Sequence, residues 1–252
     1  MIDTKLAGRV AVITGGSRGL GRAMALALAA EGARIALVAR DEAKLAETAA
    51  AVRAAGGEAA TFTADVALEP SVDTLRDAVL ARFGHAHILI NNAGMNLRKP
   101  IHEYSLEEWM RVVNTNLTSV FLMCRAFIPQ MKTLGWGRIV NMTSIMSHVS
   151  LPGRTAYSST KAALLGLTKA LALELAPDGI TVVAISPGPF ATEMNLPLLE
   201  NPELNAQFVS KIPLGRWGKV EEVGALARFL CSEEAGFITG TDILIDGGWC
   251  AQ

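Results

Sequence analysis

Val10-Ala11-Val12-Ile13-Thr14-Gly15-Gly16-Ser17-Arg18-Gly19-Leu20-Gly21 is the stretch on which the fold turns. A short β-branched run has strand character, and the glycines behind it allow positive φ and close backbone approach. Gly21 to Glu31, rich in Ala and Leu, then reads as a helix that Gly32 closes. A strand, a glycine turn and a helix in that order open a βαβ unit, and the same alternation continues outward along the chain. Further strands are expected at 35–38, 60–63, 88–90, 138–141, 181–185 and 243–245. Between them come helical patterns: one capped by Asp41 and running through Ala54, one from Pro70 to Phe83, and one from Ala156 to Ala176. Another runs from Val220 to Leu230. Ser105-Leu106-Glu107-Glu108 has the form of a capping box opening a long helix towards Met131. The strands are uniformly apolar rather than alternating, which predicts burial on both faces. The fold class is therefore α/β: a doubly wound, parallel, seven-stranded sheet with helices on both faces, of Rossmann type.

The 252 residues are half hydrophobic and carry a formal net charge of −1, which excludes a disordered chain and leaves no basic excess for nucleic acid. No composition break divides the chain, so one dinucleotide-binding catalytic domain is expected over 1–252. The longest interruption, between Pro187 and Lys219, holds Pro187, Pro189, Pro197, Pro202 and Pro213. A segment of that length is expected to serve as a substrate lid, at about 188–215. Cys124, Cys231 and Cys250 are too scattered for a disulfide framework or a thiolate metal site, and read as reduced thiols. The polar stretch Met1 to Arg9 lacks the form of a signal peptide, and no apolar run reaches membrane-spanning length. A cytoplasmic protein without membrane or nucleic-acid partners is expected.

The turn from Gly15 to Gly21 places Ser17, Arg18, Gly19 and Leu20 at the start of a helix, where unpaired N–H groups and the dipole favour an anion such as a pyrophosphate. The spacing is Gly-x-x-x-Gly-x-Gly, which differs from the Gly-x-Gly-x-x-Gly fingerprint. The second strand ends Val38-Ala39-Arg40-Asp41. Ala39 brings no carboxylate for a ribose 2′-hydroxyl, whereas the planar fork of Arg40 suits a 2′-phosphate, with Arg18 as a second cation. Asp41 has two readings, the cap of the next helix or a ligand of the ribose. NADP(H) is the preferred cofactor, with NAD(H) possible.

Tyr157 and Lys161 stand at i and i+4, on one face of a helix. A cation beside the phenol is expected to lower its pKa and make Tyr157 a general acid or base. Ser144, thirteen residues before Tyr157 at a strand end, can hydrogen-bond a substrate carbonyl. Asn116 lies inside the long helix, where Asn is unfavourable. It reads either as an anchor for a proton-relay water with Lys161 or as a buried amide satisfied by backbone.

Together these residues resemble the short-chain dehydrogenase/reductase family in its compact form, over essentially the whole chain. The matching motifs are Thr14–Gly21, Asp65-Val66, Asn91-Asn92-Ala93-Gly94, Asn116, Ser144, Tyr157, Lys161, Pro187-Gly188 and Asp246-Gly247-Gly248. The resemblance implies a catalytic tetrad of Asn116, Ser144, Tyr157 and Lys161. It implies Asp65 and Val66 at the adenine, and Asn92, Ala93 and Gly94 along the cofactor. Lys161 would lie on the nicotinamide ribose, and Ile185 to Thr192, with Pro187 and Gly188, at the nicotinamide end. It also implies a homotetramer.

Asn91 to Pro100 and Gly215-Arg216-Trp217-Gly218 look like the gluconate 5-dehydrogenase branch, in which an Arg at the position of Arg98 lies close to the substrate. The apolar residues Met95, Met146, Phe190 and Met194 suit a hydrophobic ketone or the 3-oxoacyl-carrier reductase branch instead. His148, near Ser144, is a further substrate candidate. The substrate is thus a ketone, a sugar acid or a polyol, with a 3-oxoacyl thioester as the alternative. A non-catalytic nucleotide-binding regulator is the reading from another class, and a Rossmann-type methyltransferase has no use for the Tyr157/Lys161 pair.

Overall fold

The computed structural model describes residues 4–252, except for the side chains of Met194, Leu196 and Pro197. Seven strands form one sheet: β1 (Val10–Thr14), β2 (Arg34–Ala39), β3 (Glu58–Thr63), β4 (Ile88–Asn91), β5 (Gly137–Met142), β6 (Ile180–Pro187) and β7 (Asp242–Ile245). Their order is β3-β2-β1-β4-β5-β6-β7, and every pair is parallel. The order reverses between β1 and β4, and the crossovers on either side of that point lie on opposite faces. Open α/β sheets bind ligands at such a reversal, beyond the carboxyl ends of the strands.

Successive side chains of β1 serve different cores. Ala11 and Ile13 pack with Met24 and Leu28 of α1 (Gly19–Ala29), Leu45 of α2 (Glu42–Ala54) and Val223 of a later helix. Val10 and Val12 face the other layer, with Val72 and Val79 of α3 (Glu69–Phe83) and with Phe127, Met131 and Leu164. Both phases of the strand are fully buried, which is why the run is apolar without alternation. The edge strands differ: β3 alternates in exposure and Leu244 of β7 is open to solvent.

The helix expected from Ser105 towards Met131 is built in three pieces. The capping box forms: the Ser105 Oγ accepts from the Glu108 N–H at 3.1 Å, and the Glu108 carboxylate accepts from the Ser105 N–H at 2.9 Å. α4 (Leu106–Val113) then passes into a π-turn over Asn114–Thr118, and α5 (Ser119–Thr133) continues. In the π-turn the Ser119 N–H reaches back to the Asn114 carbonyl. The Thr115 carbonyl, displaced from the regular ladder, accepts the Ser119 hydroxyl at 2.7 Å. α6 (Thr155–Leu175) begins two residues ahead of Tyr157. Between β6 and α9 (Val220–Leu230) lie α7 (Leu196–Leu199) and α8 (Pro202–Val209). This segment is tied down at both ends, because Phe190 is buried and bridges Gly218, while Phe208 stacks on Trp217 at 5.7 Å. Among the described residues no helix is long and apolar enough to cross a membrane. Cys124 and Cys231 are buried free thiols, and burial pushes both up to about 12.

The helix after the glycine turn begins at Gly19, two residues earlier than the sequence pattern suggests. This brings the turn into tight contact with the loop after β4. A Cβ on Gly21 would lie 2.2 Å from the Gly15 carbonyl oxygen and 2.6 Å from the Asn92 Nδ2, and the first of these is rigid backbone. Gly21→Ala is therefore expected to cost about 3 kcal/mol, the upper part of the overpacking range. Thermal unfolding should show a Tm lower by several degrees. An unchanged Tm would mean that the turn has slack.

Candidate active site

A cleft of about 550 Å³ opens along the carboxyl ends of the strands, centred on the reversal of strand order. Its floor is stapled by side-chain hydrogen bonds. The Asn92 amide donates to the carbonyls of Thr14 at 2.9 Å and Gly15 at 3.1 Å. In return, the Thr14 hydroxyl accepts the N–H groups of Asn92 at 2.9 Å and Ala93 at 3.0 Å. The loops after β1 and β4 are thereby held at one separation.

At one end of the cleft lie Gly15, Ser17, Arg18, Gly19 and Leu20, with Arg40, Asp65, Val66, Asn92, Ala93 and Gly94 beside them. No side chain caps the N-terminus of α1, and its first turn carries no acid. The helix end borders open space: a Cβ on Gly19 would meet only Thr192, at 3.7 Å. The dinucleotide expected from the sequence fits this cradle, with a pyrophosphate at the helix end. Gly21 does not line the cleft but sits behind the turn.

The adenine-ribose end is richer in charge than the sequence suggested. Asp41 acts as a helix cap, its Oδ1 accepting the Lys44 N–H at 3.1 Å. Arg40 is largely exposed and 3.9 Å from Asp65. Arg18 does not stand free: its guanidinium pairs with Glu193 at 2.7 Å, and Lys44 reaches the same carboxylate at 3.5 Å. Arg18 holds the Glu193 carboxyl below the usual carboxylate range. Lys44 and Glu193 were not singled out from sequence, because neither belongs to a motif.

At the other end, Ser144, Tyr157 and Lys161 line the cleft together with Pro187, Gly188 and Thr192. Lys161 is 4% exposed, and its Nζ donates to the Met142 carbonyl at 2.6 Å. Burial pushes its pKa down to about 8. Its Nζ stands 5.8 Å from the centroid of the Tyr157 ring. Tyr157 departs from the sequence expectation. Burial raises its pKa above the ordinary value, and the groups pulling it down are the Ser144 hydroxyl and the Arg154 guanidinium rather than Lys161. The phenol therefore keeps its proton at neutral pH.

Asn116 is fully buried on the π-turn, not on a regular helix. Its Oδ1 accepts the Met95 N–H at 2.8 Å, and its Nδ2 donates to the Met95 carbonyl at 2.9 Å and the Thr160 hydroxyl at 3.2 Å. This is the arrangement of a backbone-satisfied amide. Even so, a point beyond the Gly94 Cα lies 3.4 Å from its Oδ1 and 3.7 Å from the Lys161 Nζ, so the two side chains border one space.

Of the expected substrate residues, Arg98, Met146 and Phe190 line the cleft, although Phe190 is 4% exposed and works chiefly as an anchor. The side chain of Met194 lies outside the described ones. His148 stands apart from the cleft: its Nε2 is 2.6 Å from Asp242, which also accepts the Ser186 hydroxyl at 2.8 Å and the Thr143 hydroxyl at 3.0 Å. It braces the turn that carries Ser144. Leu151 and Arg154, from the segment just before α6, and Trp249, from the C-terminal turn, line the cleft without a sequence signal, beside Phe208 of α8 and Trp217.

A family model described as enoyl-(acyl carrier protein) reductase matches residues 15–250. The chain is 41% identical to a 3beta-hydroxysteroid dehydrogenase of Eggerthella lenta over 245 residues, covering 96% of this chain and 94% of that one. It is also 41% identical to a 3-oxoacyl-[acyl-carrier-protein] reductase of Synechocystis over 247 residues, covering 97% and 98%. Among solved structures, a putative gluconate dehydrogenase from Agrobacterium tumefaciens superposes with a TM-score of 0.95 at 39% identity, covering 100% of both chains. A gluconate 5-dehydrogenase from Burkholderia cenocepacia, in complex with NADP and tartrate, superposes with a TM-score of 0.94 at 35% identity, covering 99% and 98%. The chain belongs to the short-chain dehydrogenase/reductase family of NAD(P)-dependent oxidoreductases.

Proposed function

We propose that the protein is an NADP(H)-dependent oxidoreductase that interconverts a carbonyl and a secondary alcohol, with Tyr157 as the general acid and base. The observation that carries this reading is that Ser144, Tyr157 and buried Lys161 line the same cleft as the glycine turn. The nicotinamide, when bound, supplies or accepts the hydride. Gly15 to Leu20 would hold its pyrophosphate, Arg40 its 2′-phosphate, and Asp65 and Val66 its adenine. Asn92, Ala93, Gly94, Pro187, Gly188 and Thr192 would line its path to the reacting end. The NADP in the Burkholderia relative supports the choice of cofactor.

The chain's own residues divide the proton work. Tyr157, held in the protonated form by burial, donates a hydrogen bond to the substrate oxygen and gives up its proton as that oxygen becomes an alkoxide. The Ser144 hydroxyl shares the developing charge and lowers the cost of the phenolate that remains. Lys161, as a cation, stabilises that phenolate once it forms. Asn116 positions the Met95 backbone, and with it the wall facing Lys161. The segment 188–215 acts as the lid of one catalytic domain.

The substrate is a ketone, a sugar acid or a polyol. The apolar wall of Met146, Leu151, Phe208, Trp217 and Trp249 favours a second reading, a 3-oxoacyl thioester. Exposed Met110, Phe121 and Leu173 support self-association into the homotetramer that the family resemblance implies, as light scattering would test.

Tyr157→Phe should lower kcat for carbonyl reduction by about 100-fold or more while NADPH still binds. Retained turnover would remove Tyr157 from the proton step, whereas tight NADPH binding without turnover of any carbonyl by the unaltered protein would turn the assignment towards the nucleotide-binding regulator. Arg40→Ala should raise the Kd for NADPH about tenfold and leave that for NADH in place, as fluorescence titration would read. An equal loss for both would return the choice of cofactor to Asp41.

The pH profile follows from Lys161. Its folded pKa of about 8 leaves it cationic below that pH and neutral above it. For carbonyl reduction, kcat/KM is expected to be level from pH 6 to about 7.5 and to fall through about 8. A profile level to pH 9.5 would remove the lysine proton from the step.

A further inference from the structure

The segment after β6 reaches the glycine turn through a charged contact. Glu193 sends its carboxylate to the Arg18 guanidinium at 2.7 Å and to the Lys44 ammonium at 3.5 Å, and all three residues line the cleft. Both cations stand on a fixed frame. The Thr48 hydroxyl, one turn beyond Lys44 on the same face of α2, donates to the Ser17 carbonyl at 2.9 Å and ties that helix to the residue before Arg18. Glu193 is held from its own side. The Thr192 N–H and the Asn195 side-chain amide both donate to the carbonyl of buried Phe190, at 2.9 Å and 3.0 Å. The turn that carries Glu193 therefore starts from an anchored residue.

The place of this contact has a chemical meaning. Arg18 and Lys44 belong to the end of the cleft where Arg40 follows β2, and a 2′-phosphate at that end is what separates NADP from NAD. In the structure the acceptor on these two cations is a carboxylate of the chain itself. The three side chains are between 37% and 59% exposed, and ion pairs this open are weak. A phosphate monoester brings about two negative charges and three acceptor oxygens, more than a carboxylate offers, and so can displace Glu193. A free ribose hydroxyl carries no charge and cannot. The pyrophosphate is common to both nucleotides and belongs to the start of α1.

We infer that Glu193 sets the cofactor preference from the lid: its carboxylate occupies the cations of the 2′-phosphate site, so NADP(H) has to break the contact between lid and glycine turn, whereas NAD(H) leaves it in place. Glu193 thus narrows the margin for NADP(H) that Arg18, Arg40 and Lys44 provide, and the arriving 2′-phosphate frees the start of the lid. The inference deepens the proposed function and rests on its placing of the 2′-phosphate.

The test is fluorescence titration of the unaltered protein, Glu193→Gln and Glu193→Asp with NADPH and NADH, with hydrogen exchange of the backbone over 191–200 as a second readout. Glu193→Gln should lower the Kd for NADPH about fivefold, the size expected of an exposed ion pair, and leave that for NADH in place. Glu193→Asp, which keeps the charge on a shorter stem, should fall between the two. Adenosine 2′,5′-bisphosphate carries the phosphate without the nicotinamide. It should speed exchange over 191–200 in the unaltered protein, and adenosine 5′-monophosphate should not. In Glu193→Gln the segment should exchange fast with or without the bisphosphate. Weaker or unchanged NADPH binding in Glu193→Gln would overturn the inference. An equal gain for NADPH and NADH would do so too, because it would reflect repulsion of the shared pyrophosphate. Exchange that does not respond to the bisphosphate would count against displacement and overturn it as well. Arg40→Ala separates the two levels of the argument. Should it weaken NADPH while Glu193→Gln moves neither Kd, the 2′-phosphate site stands and the role of Glu193 alone falls. Should neither variant move the ratio of the two affinities, the phosphate lies elsewhere and both readings fall.

Discussion

The Asn92 amide, bonded to the carbonyls of Thr14 and Gly15, is the contact on which the site depends. The sheet reverses its winding at β1 and β4, so the chain leaves these two strands towards opposite faces and opens a gap. A gap between strand ends exposes carbonyls that no neighbouring strand can pair. Asn92 satisfies two of them from a single side chain, and the Thr14 hydroxyl satisfies two N–H groups from the other side. The cleft is therefore wide enough for a ligand and still closed at its floor. The glycine turn, the start of α1 and the loop carrying Gly94 all take their positions from this staple.

A second constraint is electrostatic. Lys161 and Arg154 are cations partly or wholly withdrawn from water near Tyr157, and among the described residues neither pairs with a carboxylate. Lys161 is held by one backbone carbonyl. Acids are present nearby, but each is used elsewhere: Glu108 by Lys99, Asp242 by His148 and Ser186, and Glu193 by Arg18. The reacting end is thus a positive pocket, which favours negative charge developing on a bound group.

Much of this was legible in the residues. Uniform apolar runs such as Val10–Ile13 and Ile88–Ile90 allow only a strand buried on both faces, and the order of turns and helices then fixes a parallel sheet. The capping box at Ser105 was equally direct, because its two hydrogen bonds are local. What escaped the sequence was set by distant parts of the chain. The π-turn under Asn116 has no propensity signature, and its displaced carbonyl is rescued by a hydroxyl four residues on. His148 looked like a substrate contact from its distance to Ser144 along the chain, but Asp242, 94 residues away, holds it. The pKa of Tyr157 was misjudged because the i, i+4 spacing brings Lys161 near the ring without giving the depth of burial that dominates the phenol. Arg154 and Glu193 were invisible for a related reason: their meaning lies in which opposite charges are near or missing, and a motif does not record that.

The π-turn also bears on how this chain can vary in length. A π-turn is an α-helix holding one surplus residue, and that residue turns every later side chain of the helix by about 100°. Loss of any single residue between Asn114 and Thr118 would let a plain helix re-form, and the whole of α5 would present a different face to the sheet. Phe127 and Met131, now fully buried, would rotate off the core. The turns at Gly56 and Gly84, where a side chain would meet nothing within 4 Å, can absorb an insertion locally. Length changes are therefore open to the rim of the molecule and closed to the helical stretch that holds the buried Asn116 amide against Met95.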